Sequence, residues 1–116
     1  MRQKNQRNAD EPTFERGSGN VFADLGLENA DELLVKADLA IAIKKEIRAR
    51  GWTQAEAAER TGLTQSDVSR IGKIMTDGFS QERLQSALRR LGIDVEIRIH
   101  HRKNGGIGTL RVREVA

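Results

Sequence analysis

Between Asn29 and Gly51 apolar residues recur at helical spacing, with Leu33, Leu34, Ala37, Ala40, Ile41 and Ile47 on one face. A second stripe, Val35, Leu39 and Ile43, lies on another side at i, i+4, i+8. Asn29 is placed to cap this helix, Glu32 to complete a capping box, and Gly51 to stop it. A helix apolar on two sides needs two partners. One side is expected to serve the domain core and the other a second subunit, unless the helix is sunk deeper in its own core. Lys44 falls in the middle of the main stripe, so its aliphatic stem is expected on the core with the ammonium in water.

Three shorter helical patterns follow, each with its own start signal. Thr53 caps a helix and Glu56 closes a capping box, with Gly62 as the stop. Thr64 caps the next helix, with Asp67 three residues on, and that helix continues to about Gly72. Ser80 caps the last, whose Leu84, Ala87, Leu88 and Leu91 form a single stripe ending at Gly92, with Phe79 placed to staple its start. From Ile93 the period changes to two: Ile93, Val95, Ile97 and Ile99 alternate with Asp94, Glu96, Arg98 and His100, which predicts a half-buried strand. Asn104-Gly105-Gly106 predicts a turn, and Leu110 to Arg113 alternate again. A lone hairpin is marginal in water, so this one needs a helix layer or a sheet edge from another chain.

The rest of the chain adds little core. Residues 1–20 are polar and charged without periodicity, and are expected to form a disordered arm. Val21 to Leu27 is a short apolar lead-in with a turn at Gly26. The organisation expected is therefore an arm over 1–20, a helical domain over 21–92 and a strand or hairpin over 93–116 that joins two copies. No apolar stretch has the length of a signal-peptide core or a membrane span, so a cytoplasmic protein is expected. The absence of cysteine excludes disulfides and thiolate metal sites. A net charge of +3 suits a polyanionic partner, and with one Trp, three Phe and no Tyr there are few platforms for stacking single-stranded bases. Duplex is the favoured nucleic acid.

The second and third capped patterns lie one tight turn apart and meet the steric demands of a helix-turn-helix. Ala58 is small where the helices are expected to cross most closely, and Gly62 lies where the turn calls for a left-handed backbone. Leu63, Val68 and Ile71 are apolar where the second helix must lock onto the first. Gln65, Ser66, Ser69 and Arg70 are left facing out as groove-compatible donors and acceptors. Gln65 has the geometry to pair with adenine N6 and N7, Arg70 with guanine or a phosphate, and Ser66 with either. Thr64, Gln54 and Lys73 are candidates for phosphate contacts that set register.

With these residues in hand, the segment Thr53-Gln54-Ala55-Glu56-Ala57-Ala58 to Thr64-Gln65 resembles lambda-repressor-like, Xre-type helix-turn-helix proteins. A narrower likeness, to a branch of bacterial HigA-like antitoxins, is carried by several ordered blocks. They are Phe22-Ala23-Asp24-Leu25-Gly26-Leu27, Ala30 to Ala37, Thr53 to Ala58, Gln65-x-x-Val68-Ser69, Gly78-Phe79-Ser80-x-Glu82-x-Leu84 and Leu91-Gly92-x-Asp94-Val95. The resemblance implies a mainly α, lambda-repressor-like domain of four or five helices with a C-terminal β-strand. It further implies homodimers on palindromic operators, autorepression and often a small RNase toxin as partner. Two features depart from the branch: Ile74 stands where such proteins usually have a glycine, with Gly72 two residues earlier, and the tail from His101 onward extends past the match.

Other chemistry is thin. His100 and His101 are neighbours on an expected strand, point to opposite faces and lack a third ligand, so no metal site is expected. Asp24, Glu28, Asp31 and Glu32 cluster where a helix N-terminus favours acids. Gly105-Gly106-Ile107-Gly108 lacks the lysine and the strand-loop-helix setting of a phosphate loop. No nucleophile has a base beside it, so neither enzymatic activity nor a cofactor is expected. Lys44, Lys45, Arg48, Arg50, Arg89 and Arg90 fit phosphate contacts and solvated helix faces equally well. The function expected is sequence-specific binding of double-stranded DNA by a homodimeric repressor. The alternative is an antitoxin that mainly neutralises a toxin through the 1–20 arm.

Overall fold

The computed structural model describes residues 20–103 and 105–115, so the expected arm, apart from Asn20, lies outside the described residues. Asn20 itself belongs to the folded domain. Its side-chain oxygen accepts from the backbone N–H of Phe22 and Ala23 at 2.9 and 3.2 Å, capping the one-turn helix α1 (Val21–Asp24). Its side-chain amide donates to Asp31 Oδ1 at 3.0 Å, fixing α1 to the start of the next helix. Gly26 turns the chain at φ +78°.

The long helix α2 (Ala30–Arg50) has the limits the sequence predicts, but it starts differently. Asn29 makes no side-chain capping bond, and the expected box with Glu32 does not form. Its backbone sits at φ −101°, ψ 41°, outside the extended conformation from which a cap side chain reaches back to the first turn. The C-terminus is a left-handed cap: Gly51 takes φ +66°, its N–H reaches the Arg48 carbonyl, and the Trp52 N–H reaches Ile47 at 3.3 Å.

The two stripes of α2 exchange the weights expected of them. Val35, Leu39 and Ile43, with Ala40, are buried in the core, whereas Ile41 is exposed and Leu33, Leu34, Ala37 and Ile47 are only half-buried. The reason lies in the partners. Helices α3 (Gln54–Thr61), α4 (Gln65–Gly72) and α5 (Gln81–Arg90) contribute Ala57, Val68, Ile71, Leu84, Ala87 and Leu88 to one cluster, and α2 turns its Val35, Leu39 and Ile43 stripe toward them. Phe79 and Leu84 join that cluster, consistent with a staple ahead of α5. Lys44 is half-buried, and Lys36, about two turns earlier on α2, donates from its ammonium to the Phe79 carbonyl at 2.8 Å.

No strand forms among the described residues. Ile93 and Val95 pack against the core as the alternation predicts, but the segment past them has no partner strand among the described residues. After the expected turn the tail returns along α2 instead of beside 93–99. The Leu110 N–H donates to Asp31 Oδ2 at 3.0 Å, Val112 packs against the core, and Glu114 pairs with Lys45 at 2.9 Å. The hairpin is replaced by docking on the helix layer. No helix among the described residues is long and apolar enough to cross a membrane.

Candidate DNA-binding site

Helices α3 and α4 are held at a fixed angle by the turn between them. The Thr53 hydroxyl accepts from Glu56 N–H at 3.1 Å while the Glu56 carboxylate accepts from Thr53 N–H at 2.8 Å, a closed capping box. Thr61, missed in the sequence, is buried at the end of α3, where its hydroxyl donates to the Ala57 carbonyl at 2.7 Å and accepts from Leu63 N–H at 3.3 Å. Gly62 follows at φ +78°, a conformation that calls for glycine; a Cβ there would lie 3.0 Å from Arg90 Nε, the end of an exposed side chain that can give way. Ala57 is fully buried and Ala58 only half-buried, so the closest packing falls one residue before the predicted position. Leu63, Val68 and Ile71 are buried as expected, locking α4 down.

That packing leaves the first turn of α4 outward. Thr64 caps it, accepting from the Asp67 N–H at 3.0 Å, and Thr64, Gln65 and Ser66 are exposed. Ser69 is half-buried one turn further on. Gln54 is exposed at the start of α3, and Lys73 is exposed immediately past the end of α4. The sequence-predicted residues thus divide into an open group, Gln54, Thr64, Gln65, Ser66 and Lys73, and a partly covered pair, Ser69 and Arg70.

Arg70 is engaged within the protein. Its guanidinium donates to the Asp77 carbonyl, approaches the Asp77 carboxylate at 3.5 Å and lies 4.9 Å over the Phe79 ring. It ties the end of α4 to the loop that leads into α5. Arg83 approaches the same ring at 5.2 Å and pairs with Asp67 at 2.5 Å. Partial burial pushes the Asp67 carboxyl up, but the Arg83 hydrogen bond, the Thr64 bonds and the Arg83 charge outweigh it, and the group titrates below the ordinary aspartate value. Phe79 with its two arginines therefore clamps both ends of α4 to α5. Only the Phe79 staple was legible in the sequence, because the arginine pairings join residues 16 positions apart in one case and cross a loop in the other.

The loop after α4 carries a strained residue. Ile74 takes φ +56°, a left-handed conformation that costs a β-branched residue on the order of 1–2 kcal/mol. This is the position at which the resembled proteins usually have glycine. Gly72, by contrast, ends α4 in helical conformation, and nothing lies within 4 Å of where its Cβ would be. Ile74 packs partly against the core, which holds the turn and sets where Lys73 leaves the helix. Arg50, a possible phosphate contact on sequence grounds, is occupied: it bonds Glu46 at 2.6 Å and the Leu91 carbonyl at 2.7 Å, and lies over Trp52.

A short helix seated on a second by a glycine turn, with its polar first turn open, defines the class of helix-turn-helix DNA-binding folds. Residues 21–100 match the family described as helix-turn-helix domain. A solved structure described as a putative XRE family transcriptional regulator is similar at 36% sequence identity and a TM-score of 0.66, with 76% of this chain and 98% of that one covered. No curated protein matches. The chain belongs to the helix-turn-helix domain family, and it is of XRE type.

Proposed function

We propose that the protein is a sequence-specific regulator of transcription that binds double-stranded DNA as a homodimer and represses its own promoter. The observation that carries this reading is the exposed Thr64-Gln65-Ser66 turn above the buried Val68 and Ile71. A helix so held presents an amide and a hydroxyl at its N-terminus, where side chains reach base edges in a major groove. Gln65 and Ser66 are assigned to bases. Ser69 is assigned to a secondary contact, and Gln54, Thr64 and Lys73 to phosphates. Arg70 is assigned first to holding the α4–α5 loop, from which a base or phosphate is reached only if the Asp77 contacts are exchanged. Half-sites one helical turn apart, about 34–36 Å, follow from two-fold symmetry.

The test is binding of the purified protein to its promoter fragment and to an unrelated duplex of equal length, at moderate salt. Preference for the promoter by about 10³-fold or more is expected for specific recognition. Equal affinity would overturn the reading. An antitoxin role is supported by the sequence blocks shared with HigA-like proteins, and co-expression with the neighbouring small reading frame tests it. A complex that rescues growth is expected, and the absence of both complex and rescue would remove this role without touching DNA recognition.

A further inference from the structure

The segment from Asp94 to His100 runs extended from the end of the core, and none of its N–H groups donates to another part of the described backbone. Its inner half is anchored by Ile93 and Val95. Its outer half carries Ile97 and Ile99 at 78% and 80% exposure. Two β-favouring isoleucines on an unpaired extended segment form an edge ready to accept another strand. Their neighbours alternate in charge on the opposite face, in the order Asp94, Glu96, Arg98, His100. Glu96 and Arg98 meet each other at 3.3 Å within the chain, but both are exposed, so that contact holds them weakly.

We propose that this segment pairs antiparallel with the same segment of a second copy, with the two-fold axis passing through Ile97. This rests on the homodimer reading above and specifies its seam. In that register Glu96 lies opposite the partner subunit's Arg98, and the reverse pair follows by symmetry. Asp94 lies opposite the partner's His100, and Val95 opposite the partner's Ile99. Every cross-strand pair is then apolar with apolar or acid with base.

The alternatives that keep both apolar faces on one side each oppose like charges. Centring the axis on Glu96 or Arg98 sets that residue against itself. Centring it on Val95 sets Asp94 against Glu96, and centring it on Ile99 sets Arg98 against His100. A parallel in-register pair opposes each charge to its own copy. A slip by one residue turns the isoleucines to the charged face. In the favoured register the partner's Ile99 comes to rest beside Val95, at the rim of the core where Ile93 and Val95 already pack. The exposed isoleucines of each chain thereby extend the other chain's core.

The chain has no cysteine, which makes a single introduced thiol an unambiguous reporter. Under mild oxidation I97C is expected to form a disulfide-linked dimer, since facing positions have Cα atoms about 4.5–5.5 Å apart. I99C is expected to remain unlinked, because the two copies of residue 99 lie four positions apart along the ribbon, about 13 Å. E96R and R98E are each expected to raise the dimer dissociation constant by roughly tenfold or more. The double variant, or an equal mixture of the two single variants, restores it. If light scattering finds the unaltered protein monomeric at every working concentration, the homodimer reading falls and this seam with it. If the protein is dimeric but I97C does not cross-link, I99C cross-links as well, or charge reversal leaves dissociation unchanged, the dimer stands and the Ile97 seam is overturned.

Discussion

Gln65 and Gly62 show how differently single residues act in this domain. Gln65 is exposed and touches no core, so Gln65→Ala should leave stability within about 0.5 kcal/mol and remove about 1–3 kcal/mol of discrimination at one base pair. Competition binding against operators altered at single positions reads this directly, and uniform weakening across all operators would assign Gln65 to phosphate instead. Gly62 touches the turn from the other direction. At φ +78°, with Arg90 Nε where a Cβ would press, Gly62→Ala should cost on the order of 1–2 kcal/mol from backbone strain alone, measured as a lower urea midpoint at unchanged slope. The exposure of Gln65 and the left-handed turn at Gly62 both follow from residue type at that spacing. The roles of Thr61 and Arg83 do not, because a threonine back-bonded to its own helix and an arginine on a distant carboxylate leave no periodic trace.

At the scale of elements, α2 is the place where pattern and packing diverge. Ile43 is fully buried and Ile41 is 39% exposed, so Ile43→Ala should cost about 2–5 kcal/mol and Ile41→Ala well under half as much, by thermal or denaturant unfolding of the two variants. A reversed order would place the core on the other stripe. Periodicity finds that a helix has apolar faces, but when two are present the neighbours choose between them, and α2 met its neighbours only in three dimensions. The clamp on α4 is likewise a property of two elements. The folded Asp67 carboxyl titrates below its unfolded value near 3.8, so its contribution is fully present above that pH and lost as the pH falls through the lower folded value. Asp67→Asn should therefore flatten the acid side of the stability curve and lower stability at neutral pH. An unchanged acid limb would show that the Arg83 pair contributes nothing to folding.

For the whole molecule the decisive quantity is how many cationic contacts reach the duplex. Under the proposed assignment Gln54 and Thr64 are neutral and Lys73 is a charge, so Lys73→Ala should reduce the magnitude of the slope of log K against log salt by about 0.9 for each half-site engaged. An unchanged slope would remove Lys73 from the phosphate set. The tail is the other large-scale outcome, since an expected hairpin became an extended segment beyond the core and a return along α2. By itself the sequence determined the limits of α2 to α5, the caps of α3, α4 and α5, the glycine stops at 51 and 62, and the open turn at Thr64 to Ser66. Those features depend on bonds among residues a few positions apart and on local backbone conformation. Tertiary structure alone decided which stripe of α2 is buried, that Arg70 and Arg83 stack on Phe79, and that the C-terminal segments do not pair with each other. Such outcomes are set by which distant surfaces exclude water together, and a helix or strand carries no record of its partner in its own period.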